Sequence, residues 1–402
     1  MQPITAQPVS APGRPLRPRG RWLWRLFGIL VILVCAAPIT LAAVRAGTFT
    51  QGGFAQSALP TRTVIVPETV TSVNVTSYGA PIQVSVGPGS ETTVNETISF
   101  DEKAGPPRVT EQVSRGALTL AAPACADSNC SVGFAVTVPA GVTVTASSDG
   151  APVTVSGAAA ADIDSSGGPV NASNITGQLT VTAGGGDITV TGAGSASLDS
   201  GGGAVSVSGV PGSLNVSAEG GEIDAHGTGS ATLDSGSGPV NVSGVAGTLT
   251  VTSEGGSINV SVAQGANLDS GSGPVVARAI DGPLSVTTGG GSLQVGGLTG
   301  PFTANTASGP LNASGLTSPT ARVDTNGGTA WLGFTTEPQS VLLNTQGGNA
   351  VLVLPGGPYA VSAQSAGGPA DVSVPVSPTA ASIISVSTGG GELQVKPSAG
   401  GS

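Results

Sequence analysis

The sequence predicts an all-β protein: a β-solenoid, single-stranded and β-helix-like, of about fourteen rungs of about eighteen residues, behind one N-terminal transmembrane helix. Three observations lead there. First, the phrase LDSGSGPV at 233–240 returns letter for letter at 268–275, and LDSGGGAV stands at 198–205, each thirty-five residues apart. Second, the phrase generalises to an apolar anchor, a small polar residue, a small residue, a Gly five places after the anchor and an aliphatic residue seven places after it. In that form it occurs thirteen times, with anchors from Ile163 to Val386 and glycines from Gly168 to Gly391, in steps of 17 to 23. The thirty-five-residue copies are therefore doublets of a unit of about eighteen. Third, the residues around each Gly alternate with period two, as in Leu214-Asn215-Val216 and Ile223-Asp224-Ala225, which marks short half-buried strands.

Each element follows from these. Gly reaches positive φ without steric cost, so a Gly at one fixed place in every copy predicts one repeated left-handed turn geometry, as in SAEGGE. A second loop, such as HGTGS at 226–230, closes the circuit. A strand pair this short cannot cover its own apolar side, and each inward Val, Ile or Leu contributes roughly 1.5–3 kcal/mol only when fully buried. Neighbouring copies stacked as rungs about 4.8 Å apart supply the cover, with Val142 to Val155 as an irregular first rung. A disordered linker has a similar content of Gly, Ser and Pro, but here the apolar letters keep phase for over two hundred residues. A hexapeptide left-handed helix needs apolar positions every six, and these fall seven, two, three and four apart.

The organisation runs from a Pro/Arg-rich cytoplasmic tail (1–21) through a transmembrane helix or uncleaved signal anchor (22–45) and a linker (46–61). A β-rich cap (62–140), the repeats (141–396) and a short disordered tail (397–402) follow. The uncharged run Leu26 to Val44 is nineteen residues, about 28 Å of helix, close to a bilayer core. Five Arg precede it and no acid occurs before residue 46, which sets the N-terminus in the cytoplasm and the repeats outside. Cleavage near Val44-Arg45-Ala46 and secretion is the alternative.

Residues 46–402 hold seven basic and twenty-three acidic side chains, a net of −16, which disfavours nucleic acid as a partner. Outside the membrane, Cys125 and Cys130 are expected to form a disulfide around a small loop. Asp164, Asp199, Asp234 and Asp269 repeat every thirty-five residues with Thr182, Ser217, Thr252 and Thr287 on the rungs between, and form an edge of candidate surface contacts. Calcium would need six to eight oxygens at about 2.3–2.6 Å, whereas carboxylates two rungs apart lie roughly 9.6 Å from each other. Asp and Ser side chains bonding into the turn backbone are the plainer expectation. His226 is the single histidine, expected in a surface loop with Asp224 two residues before it; no nucleophile elbow accompanies it, and no catalytic, cofactor or metal site is read from the sequence. Trp331 alternates out of phase with Ala330 and Leu332, so it should face outward, free to meet a partner or to fold against its own loop.

CADSNCSVGFAVTVPAGVTV at 125–144, leading through a VPAG strand into repeated Gly-turn rungs, resembles the bacterial putative-adhesin family, a domain of unknown function related to toast-rack domains of envelope-stress proteins. The resemblance covers roughly residues 62 to 396. It implies a membrane-anchored surface protein of a Gram-positive, high-GC bacterium, and it brings no set of functional residues. The expected function is a cell-surface adhesin or structural and binding module, meeting an envelope protein, a host-surface protein or a glycan. A sensory or regulatory ectodomain of an envelope-stress system is the alternative, with a carbohydrate-active enzyme a distant third.

Overall fold

The computed structural model describes residues 56–122 and 130–398. The N-terminal unit Met1–Phe54, with the expected tail and membrane helix, lies outside them, as does Cys125. Among the described residues no helix is long and apolar enough to cross a membrane.

Two parallel stacks of strands enclose one apolar core. A turn of the solenoid contributes one strand to each, for example Thr143–Asp149 to one and Val153–Ser156 to the other. Stacking is in register: Ile163 lies opposite Val181, then Leu198, Val216, Leu233, Val251, Leu268 and Val286. These anchors are all buried, so each rung covers the apolar residues of the one before it, as the repeat requires. From Thr143 to Leu354 about twelve turns of about eighteen residues follow one another in chain order. The alternation of seventeen and eighteen has a local origin. Ile175 pairs with Ala193 but Gln178 with Ser195, so one residue is absorbed where the chain passes from one stack to the other.

The ladder glycines do not serve the turn as the sequence reading expects. None of the thirteen from Gly168 to Gly391 has positive φ. They are small because of the neighbouring coil: a Cβ on Gly203 would sit on the carbonyl oxygen of Gly186, and one on Gly221 on that of Gly203. Identical turns stacked at strand spacing leave no room for a side chain pointing along the stack.

The left-handed backbone lies at the opposite corner. Asn174, Gly192, Gly209, Gly227, Gly244, Val262, Ala279, Gly297 and Gly315 occupy successive rungs there with φ between 52 and 81°. Val262 (φ 58°) is the misfit, since a β-branched side chain crowds its own backbone in that region. Its side chain is exposed, so removing it sacrifices little packing. Val262→Gly should raise unfolding free energy by about 1 kcal/mol, the relieved strain exceeding the added flexibility of the unfolded chain; urea denaturation checks this, and a less stable variant would refute it.

The loop hydroxyls hold the turns. Ser165 Oγ donates to Gly168 O at 2.8 Å, Ser200 to Gly203 at 2.9 Å, Ser235 to Gly238 at 2.8 Å and Ser270 to Gly273 at 2.8 Å, all buried. Thr325 and Thr345 repeat the bond to Gly328 and Gly348 farther along. The third letter of LDSGSGPV is thus a buried turn support, and a buried hydroxyl must find such a partner.

Eight strands build the first end: β1 (Gln56–Ala58), β2 (Arg62–Val66), β3 (Ser72–Tyr78), β4 (Ile82–Val86), β5 (Thr92–Asp101), β6 (Thr110–Ser114), β7 (Ala117–Ala121) and β8 (Ser131–Val138). Among the described residues strand pairing is already present at Gln56, inside the stretch expected to be a linker. β3 and β4 pair in parallel with Thr143–Asp149 and Val153–Ser156, forming an extra rung. β7 and β8 extend it, and antiparallel β6, β5, β2 and β1 then end both stacks. Arg62 on β2 reaches Glu96 on β5 at 3.3 Å and Glu111 on β6 at 3.0 Å, tying the two stacks at this end.

The other end departs from chain order. Val386 lies between Leu343 and Ala363: the last strands, Ile383–Thr388 and Leu393–Pro397, insert between the coil ending at Leu354 and the coil formed by Ala360–Ser365 and Ala370–Val372. The penultimate copy of the repeat is therefore the outermost coil, and it closes an end for which the sequence offers no evident cap. Tyr359, fully buried, secures this lid; its backbone bonds to Pro375 and Ser377 and its hydroxyl donates to Pro355 O at 2.8 Å.

Candidate functional site: the outward polar faces

Strand alternation sends every second side chain outward, and in-register stacking turns those side chains into rows along the solenoid. On one stack the rows from Asp162 to Asn305 are Ser, Thr, Asn and Asp, and Arg322 and Leu342 follow. Asp164, Thr182, Asp199, Ser217, Asp234, Thr252, Asp269 and Thr287 follow one another on successive rungs. The four aspartates are exposed; the buried hydroxyls of Ser165, Ser200, Ser235 and Ser270 make the expected turn bonds, and another aspartate, Asp187, accepts from the turn N–H of Ala204 at 2.9 Å. Among the described residues no three His, Cys, Asp or Glu side chains converge as metal ligands.

The other stack presents more varied chemistry. His226 stands on the strand Ile223–Ser235, not in a loop, because rung-to-rung pairing continues on both sides of left-handed Gly227. Its Nε2 lies 2.8 Å from Asp224 Oδ1, and its Nδ1 meets Ser243 Oγ on the next rung. Sequence reading missed that Ser243 completes this line, although seventeen residues is one rung. Asp224, His226 and Ser243 have the order of a proton relay, but the side chains of His226 and Asp224 are 51% and 40% exposed on an open sheet, where water weakens each interaction. Beside them runs an amide ladder: Asn241 donates to Glu222 at 2.8 Å and Asn259 to Asn241 at 3.0 Å.

Farther along, Arg278, Gly296 and Ser314 occupy one outward row, with Val276, Gln294, Asn312 and Trp331 in the next. Because Gly296 carries no side chain, a shallow recess of about 130 Å³ opens between Arg278, Gln294, Asn312 and Ser314. Trp331 faces outward as alternation requires, but its indole lies across Gly333, which is buried although it also points outward. The ring is therefore folded against its own strand. A larger groove of about 620 Å³ lies at the capped end between 65–71, 90–91 and 139–142. Cys130 stands just before β8; the expected pairing with Cys125 falls outside the described residues.

Fold and faces together define a class: a β-solenoid whose described chemistry is displayed outward in rows on a stiff support. Among solved structures it is similar to a "putative adhesin" from Parabacteroides merdae, 12% identical with a TM-score of 0.26, over 67% of this chain and 95% of that one. It is also similar to a "putative cell adhesion protein" from Clostridium sporogenes, 7% identical with a TM-score of 0.17, over 84% of this chain and 100% of that one. No family model and no curated protein matches. Likeness this slight says nothing of what the chain binds, which rests on its own residues.

Proposed function

We propose that the chain is a membrane-anchored, extracytoplasmic solenoid that makes adhesive contact with other surfaces through its outward rows. The observation that carries this reading is the in-register repetition of polar side chains on the outside of both stacks, on a backbone bonded from rung to rung. A ligand touching one rung meets similar groups on the next, so weak contacts add along the stack without separate ordering costs. The Arg-flanked apolar run before residue 46 supports the anchor, and the net −16 of the remainder supports partners other than nucleic acid.

The test is made on intact cells carrying the full chain or its deletion. External protease should remove the repeats from whole cells, and deletion should lower attachment to surfaces or partner cells several-fold. Repeats inaccessible from outside, or attachment unchanged while an envelope-stress response is altered, would replace this reading with the sensory one.

A further inference from the structure

The solenoid beyond residue 141 carries three basic residues. Arg322 pairs with Asp324 at 3.1 Å, and Lys396 reaches Gln394 at 3.5 Å. Arg278 is exposed and has no ion pair among the described residues, in a chain where acid exceeds base more than three to one outside the N-terminal segment. An unpaired guanidinium on such a surface is a standing site for an external anion, and its fork suits a carboxylate in particular.

The surroundings narrow the anion's class. The recess beside Arg278 has room for about four waters or one small polar group, at roughly 30 Å³ per water. Its walls are the amides of Gln294 and Asn312 and the hydroxyl of Ser314, which both donate and accept hydrogen bonds. On the rung after Asn312 lies Trp331, its indole covering Gly333 and partly exposed. Charge, paired amides and a flat aromatic thus succeed one another along the solenoid axis at rung spacing, about 4.8 Å. Hydroxyl-bearing rings with apolar faces and a carboxylate satisfy all three, and sugars in an extended chain advance by a similar step. An acidic peptide would use the guanidinium but would leave the indole and amides without a regular counterpart.

We propose that Arg278, Gln294, Asn312, Ser314 and Trp331 form a binding strip for an acidic polysaccharide, with a sugar carboxylate on Arg278 and a neighbouring ring on Trp331. The strip deepens the adhesive reading above and supplies it with a ligand class. It makes no covalent change in the glycan.

Full-length protein in detergent is titrated with oligogalacturonate, neutral cello-oligosaccharide and poly-glutamate. Oligogalacturonate should bind in preference to both. Arg278→Gln should weaken it about tenfold or more through loss of charge-assisted hydrogen bonds. Gly296 has ordinary φ, and the nearest atom to an added Cβ is the Arg278 side chain at 3.9 Å, so Gly296→Leu should fill the recess without unfolding the coil and weaken binding to a similar degree. Trp331→Ala should also weaken it, with circular dichroism and melting unchanged for the Arg278 and Gly296 variants. Preference for poly-glutamate, absence of oligogalacturonate binding, or equal binding by folded Gly296→Leu would overturn the site. The two readings fail separately: if wild-type cells attach and Arg278→Gln cells attach equally well, adhesion stands and the strip falls. If glycan binding follows the variants while deletion leaves attachment intact, the strip stands and adhesion falls.

Discussion

Gly238→Ala should destabilise the solenoid by about 3 kcal/mol, the upper part of the range for overpacking a site that cannot relax. A Cβ there would lie on the carbonyl oxygen of Gly221 and within 2.9 Å of that of Gly220. Neither oxygen can withdraw, because both belong to a turn locked between two more copies of itself. The control is Gly220→Ala, one turn earlier. At Gly220 an added Cβ meets only Ser237 Oγ, at 3.8 Å, and φ is not left-handed. That change should lie within about 0.5 kcal/mol of wild type, or slightly stabilise through the unfolded chain. Denaturation in urea, followed by circular dichroism, measures both. Equal losses in the two variants would mean that glycine is required along the whole turn for flexibility, and the crowding account would fail.

The second large effect belongs to the outermost coil. Tyr359→Ala should remove about 3–5 kcal/mol from its attachment, the usual cost of emptying a buried aromatic site. Opening is local, since a solenoid's end coil touches one neighbour. The expected result is rapid proteolysis between 355 and 382, with concentration-dependent association through the uncovered edges of Ile383–Thr388 and Leu393–Pro397. Cleavage no faster than in wild type would show that Tyr359 does not hold the lid.

Tyr359 also gives the coil an alkaline limit. Burial, and then the charge of Glu337, push its hydroxyl above the ordinary value of 10.0. A proton held more tightly in the folded state contributes stability that is complete below the unfolded value. It is lost as pH rises through the folded one. Tyr359→Phe should therefore flatten the fall in lid stability above about pH 10 while losing about 1 kcal/mol at neutral pH with the bond to Pro355. An unchanged alkaline profile would assign that fall to another group.

Much of this architecture was legible because the repeat is a physical necessity. Leu198, Val216 and Leu233 recur in phase since each must cover the next, and that alone gives the rungs, the inward residues and the outward setting of Trp331. The reason for the ladder glycines was not legible, because crowding and left-handed backbone select the same letter. Only the coil-to-coil approach of Gly203 and Gly221 separates the two causes. The true left-handed corner was obscured because Asn174, Val262 and Ala279 share it with glycines. Nor could sequence order the last coils, since Leu343 and Ala363 present Val386 with the same register on either side. For the outward faces, alternation reveals which residues emerge but not how neighbouring rungs combine. Ser243 joined to His226, and a recess left by Gly296 beside Arg278, depend on register at single-residue accuracy.

The exchanged coils at the far end constrain how a nascent chain can mature. Synthesis delivers Ala360–Val372 before Ile383–Pro397, yet the later segment occupies the inner berth. The earlier one must wait undocked, or let go, until the later one has been made. A polypeptide stopped near residue 382 would lay its 360–372 segment directly upon the coil ending at Leu354, in the place Ile383–Pro397 now takes. The proper lid is thus a mark that synthesis has passed residue 397.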